Sequence, residues 1–233
     1  MSAEHILPKA ILNEISWNGT MVRVGGWAGQ PVGELRNLGI KALTAKILCR
    51  EHNEGLSELD SVFVKLWRFI DAANEDPERV PDEVHLPGPL VERAFFKLLC
   101  GVLASRGNKL PQVWGHLLRG RLNWPNGTGL HVVEHGRERA HTRQFHLQVD
   151  TDPPGGLGSI LSLTTHVCGP VFRLVITPEQ PGTRRPSQLV FQLPDKAKTM
   201  HLDWPEGMST GRGVRYTKKG EYEVPDTSWP ECE

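Results

Sequence analysis

The sequence has no excess of charge of either sign: 27 Lys and Arg stand against 27 Asp and Glu in 233 residues. That balance removes the overall basic bias that would by itself indicate nucleic acid, and leaves only a local basic surface open. Cysteine is scarce as well. Cys49, Cys100, Cys168 and Cys232 are widely scattered and form no Cys-x-x-Cys pair, which gives no sign of a disulfide framework and fits a reducing cytoplasm. Long apolar runs are missing. None approaches the roughly 20 residues that span a bilayer, and no basic segment leads into an apolar core at the amino end. We therefore expect a soluble, unsecreted cytoplasmic protein with no membrane contact, in which the Asn-Gly-Thr sequons at Asn18 and Asn126 are turns. No internal repeat is visible.

What is present divides the chain by its hydrophobic period. Residues 9–45 are glycine-rich, with a short alternating piece at Met21, Val22 and Val24 that suggests a hairpin or an irregular loop insertion. "TAKILC" has the make-up of a short strand ending at Cys49. Ser57 with Asp60 three residues later resembles a helix-capping pair, and Leu59, Val62, Phe63, Leu66 and Ile70 follow at helical spacing to about Asn74. "NEDPERVPDEVHLPGP" reads as a charged, proline-rich connector. A second amphipathic helix carries Leu90, Val91, Phe95, Leu98, Leu99 and Val102, and a shorter third starts at Pro111.

Beyond "NWPNGTG" the period becomes that of strands: Phe145, Leu147 and Val149 alternate, and "VFRLVI" and "QLVFQL" read as buried strands. These patterns predict an α+β protein. Its expected segments are a core with a long insertion over 1–75, a helical segment over 76–125, a β-rich domain over 126–204 and a flexible tail over 205–233.

Two motifs carry chemistry. "EHILPKAIL" sets Glu4 and His5 before apolar residues, and "LCREHN" sets Cys49, His52 and Asn53 between the short strand and the first long helix. In that order they resemble the HNH endonuclease family, whose core is a two-strand, one-helix unit around a metal, the ββα-metal fold. The resemblance covers about the first 70 residues. It implies a metal-dependent hydrolysis of phosphodiester bonds, most naturally in DNA. His5 would be the general base, because an imidazole titrating near pH 6.5 accepts a proton from water at neutral pH. Glu4 and Asn53 would hold Mg2+ or Mn2+ through hard oxygen atoms.

The match departs from the family at one point. Many members carry a Cys-x-x-Cys before the first motif that completes a structural zinc site with the later one, whereas only Met1 to Ala3 precede Glu4 here. Cys49 and His52 are then a remnant Zn2+ half-site, and two ligands make no closed structural site. Three explanations stay open: a longer or misassigned start, packing in place of zinc, or other ligands. The missing half-site also leaves room for a noncatalytic nucleic-acid-binding or adaptor protein with a degenerate HNH-like core, working with a protein partner.

Other features rank lower. Arg137, Arg139 and Arg143 in "HGRERAHTRQFH" would suit phosphate contacts, although a polar strand face explains them equally. His131 and His135 in "HVVEH" are expected on a solvated loop. "GGLGS" lacks the residues of a phosphate loop and is a turn. Phe63, Trp67, Phe69, Phe95 and Phe96 are expected in the core. "GRGVRYTKKGEY" mixes basic and aromatic residues, as both single-strand binders and disordered tails do.

Overall fold

The computed structural model describes residues 4–25, 34–46, 54–124, 128–133, 145–152, 159–168, 170–176, 185–186, 188–192, 197–205, 210–211, 214–217 and 222–223. Within them the protein is α+β. The amino end forms strand β1 (Glu4–His5), helix α1 (Lys9–Ile15), β2 (Met21–Gly25), β3 (Leu35–Gly39) and β4 (Thr44–Ala45). Two long helices follow, α2 (Ser57–Glu75) and α3 (Gly88–Ser105), with β5 (Glu83–Pro87) between them and α4 (Gln112–Leu118) after them.

The rest is strand: β6 (Gly129–Val133), β7 (Phe145–Asp152), β8 (Ser159–Val167), β9 (Val171–Val175), β10 (Arg185–Pro186), β11 (Gln188–Gln192), β12 (Ala197–Asp203), β13 (Thr210–Gly211), β14 (Val214–Thr217) and β15 (Tyr222–Glu223). A six-stranded sheet has the order β3-β2-β7-β8-β9-β6, and a five-stranded sheet the order β15-β14-β11-β12-β5. Among the described residues β1 pairs only with β4, and β10 only with β13.

The helices pack as their spacing predicts. Along α2 the residues Leu59, Val62, Phe63, Leu66, Trp67, Phe69 and Ile70 are all buried, and along α3 so are Val91, Phe95, Phe96, Leu98, Leu99 and Val102. The Phe63 and Phe95 rings meet edge to face at 5.0 Å, and Phe95 lies 4.9 Å from Phe172 of β9, which joins both helices to the larger sheet. The helix-borne aromatics are therefore core. Burial of each such side chain contributes on the order of 1.5–3 kcal/mol. Cys100, on the same face, is fully buried, and burial pushes its thiol well above the usual range, so it behaves as an inert apolar residue.

Several elements differ from the sequence reading. α1 is helical where irregular chain is expected, and it buries Ile11 and Leu12. The alternating piece at 21–25 is β2, which pairs antiparallel with β3 as the hairpin alternative expects; the difference is its parallel pairing with β7, which places it in the same sheet as β7. "DEVHLPGP" contains β5, which pairs in parallel with β12, more than a hundred residues on. His131 lies on β6 and is buried, whereas a solvated loop is expected there, because Leu130 and His131 pair with Leu174 and Arg173 of β9. The tail contains β14, which adds to β11 in parallel. No helix among the described residues is long and apolar enough to cross a membrane.

Candidate functional site

Glu4 and His5 form β1, and their register against Ala45 and Thr44 of β4 ties the amino end to the segment that leads into α2. Ile6 extends the pairing by donating its N–H to the Leu43 carbonyl at 2.9 Å, and Ile6 and Leu7 then enter the core. Both motif side chains are half-buried. The strand is thus held by backbone pairing along its length and by apolar anchors immediately after the histidine.

Two residues outside the motifs complete the cluster. Lys97 projects from α3 with a side chain only 4 % exposed, and its Nζ donates to Asp60 Oδ1 and Oδ2 at 2.7 and 2.8 Å. The same ammonium reaches Glu4 Oε1 at 3.5 Å. Asp60, the residue the sequence offers as a capping partner of Ser57, is therefore committed elsewhere. α2 begins after Leu56, whose apolar side chain supplies no cap, and the Asp60 carboxylate neutralises a buried charge instead. A lysine inside "AFFKLLCGVL" was the available signal for this, since a lone cation in an apolar helical run demands a buried partner.

The electrostatics follow from burial. Asp60 is held above the ordinary aspartate range, mainly because the low-dielectric surroundings disfavour its charge, with Lys97 acting in the opposite direction. His5 is held below the ordinary histidine value, first by burial and also by Lys9, while Glu4 and Asp60 oppose the shift. Its imidazole is accordingly neutral at neutral pH.

A hard divalent cation requires oxygen donors that are not consumed by another cation. Lys97 has Asp60 as its close partner and also lies 3.5 Å from Glu4 Oε1, so the Glu4 carboxylate, the described residue that would serve as an oxygen donor, already faces a protein cation. Cys49, His52 and Asn53, the other motif residues, lie outside the described residues, and so do Arg137, Arg139, Arg143 and His135. A second group of donors, invisible in the sequence, lies on the smaller sheet: Glu83 and His85 of β5 with His201 of β12.

No family model matches the chain, and neither a curated protein nor a solved structure matches it significantly.

Proposed function

We propose that the chain is a metal-dependent endonuclease of HNH type that hydrolyses phosphodiester bonds, with DNA as substrate. The observation that supports this reading is the pairing of β1 with β4. It sets the Glu4-His5 motif antiparallel to β4, with α1, β2 and β3 between the two strands in the chain and α2 as the next long helix; a motif strand, a partner strand and a helix are the parts that a ββα-metal core would need.

In this reading His5 takes the proton from the attacking water. It sits half-buried on a strand paired with β4 and followed by the buried Ile6 and Leu7, which would position its ring before substrate arrives. Glu4 and Asn53 would be the oxygen ligands of Mg2+ or Mn2+. When bound, such an ion supplies charge neutralisation at the phosphate and at the departing oxygen. Lys97 does not touch substrate, because it is almost fully buried; with Asp60 it holds Glu4 and the start of α2 in place. Incubation of the protein with plasmid DNA and Mn2+, against a chelated control, tests the activity: nicking or linearisation supports the reading, and intact plasmid in both samples counts against it.

One observation favours a second reading. The Lys97 ammonium 3.5 Å from Glu4 places a protein cation beside the carboxylate that would hold the metal. An HNH-like core neutralised from within suits a noncatalytic nucleic-acid-binding or adaptor protein, for which retention of DNA without cleavage is the expected result.

A further inference from the structure

We infer that the outer face of the β5–β12 strand pair is a binding site for a borderline divalent transition metal of the Zn2+ or Co2+ class, held by Glu83, His85 and His201 and oriented by Asp203. The sheet builds this arrangement by register. β5 and β12 are parallel, with Glu83 opposite Thr199, His85 opposite His201 and Pro87 opposite Asp203. Side chains alternate across a sheet, so Glu83, His85, His201 and Asp203 share one face. The other face holds Leu86, Met200 and Leu202, all buried in the core, with Val84 packed against it. Core packing thereby fixes which face the four polar residues occupy, because a slip of one residue would bury them all.

The geometry within that face is that of a donor set. One donor atom from each of Glu83, His85 and His201 lies within 4.8 Å of the other two. The two imidazoles stand in register, with centroids 4.5 Å apart and planes 12° from parallel. His85 Nδ1 lies 3.0 and 3.2 Å from the two carboxylate oxygens of Asp203. That contact is the independent observation pointing to a metal: a carboxylate on one ring nitrogen commits it to N–H and leaves Nε2 as the donor, the arrangement that orients metal-binding histidines. Tetrahedral ligands at about 2.1 Å from a zinc-like ion are roughly 3.4 Å apart, so the set closes by side-chain rotation alone.

Two imidazoles and a carboxylate suit Zn2+ or Co2+ better than Mg2+, which prefers oxygen ligands throughout. With three protein ligands, one position is left for water or for a donor from a ligand or partner. Glu83 and His85 are exposed, so that position faces solvent. The site lies on a different sheet from β1, and is independent of the nuclease reading.

Titration of the intact protein with Co2+, followed by visible absorption, and with Zn2+ by calorimetry tests the inference. One ion per chain is expected to bind with visible bands of the tetrahedral type. His201→Ala and His85→Ala should abolish those bands, Asp203→Asn should weaken binding about 10-fold, and Glu58→Gln, at an exposed position of α2, should leave it unchanged. Should a histidine variant unfold by circular dichroism, Glu83→Gln, at an exposed strand position, carries the same comparison and is expected to weaken binding. The inference is overturned by absence of a bound ion in the wild type. Binding that survives in His85→Ala or His201→Ala, that is undiminished in Glu83→Gln, or that is lost in Glu58→Gln, overturns it as well.

Discussion

The Lys97 ammonium lies 2.7 Å from Asp60 Oδ1, joining the middle of α3 to the first turn of α2 through a cation that is almost entirely withdrawn from water. Removing one member of such a pair strands the other. Asp60→Ala is expected to destabilise the protein by about 3–5 kcal/mol. Replacing both, as Asp60→Leu with Lys97→Met, should cost less than the sum of the single changes, because neither member of the pair is left without the other. Urea denaturation of the two single variants and the double variant measures the coupling; strictly additive losses would show that the pair is not coupled.

The pH dependence of stability separates Asp60 from His5. A carboxyl held above 3.8 in the folded chain binds its proton more tightly than in the unfolded chain. Its contribution is complete below 3.8 and is lost as pH rises through the folded value. His5 is held below 6.5, so its contribution is present above 6.5 and is lost as pH falls through the folded value. In stability curves from pH 3.5 to 7.5, Asp60→Asn should remove the decline with rising pH and His5→Gln the gain. Curves that run parallel to the wild type would contradict both assignments.

Gly88, the first residue of α3, has no room for a side chain. A Cβ built there would stand 2.5 Å from the Trp204 ring. Gly88→Ala is expected to lower stability by about 1–3 kcal/mol through overpacking, since a ring wedged between α3 and the end of β12 cannot yield like the tip of a flexible chain. Thermal unfolding checks this against Gly115→Ala, where the nearest atom is an arginine nitrogen at 4.0 Å and an unchanged or slightly raised midpoint is expected. Equal effects at the two positions would remove the steric explanation.

How far the sequence was legible depended on how local each interaction is. α2 and α3 were readable because Leu59, Val62, Phe63, Leu66 and Ile70, and then Val91, Phe95, Leu98 and Val102, repeat at a spacing that needs no partner to be recognised. α1 was not, since seven residues beside a glycine-rich stretch give too short a period. β5 was hidden for a different reason. Only Val84 and Leu86 of that strand face inward, the surrounding prolines and acids signal a connector, and β12, its one partner among the described residues, is remote in sequence.

The same rule applies to the sites. Glu4 and His5 are adjacent in the chain and were visible as a motif, whereas Asp60 and Lys97 join them only through the packing of α2 on α3. The Glu83, His85 and His201 group exists only through the β5–β12 register, which no pattern along the chain reveals.

The most direct test of the nuclease reading is the initial rate of plasmid cleavage in Mn2+ by the wild type and by His5→Ala, each shown to be folded by circular dichroism. The account predicts cleavage by the wild type and a loss of at least about 100-fold in the variant, the order expected for removal of a general base. Equal rates in the two proteins, or no cleavage by the wild type, would contradict it.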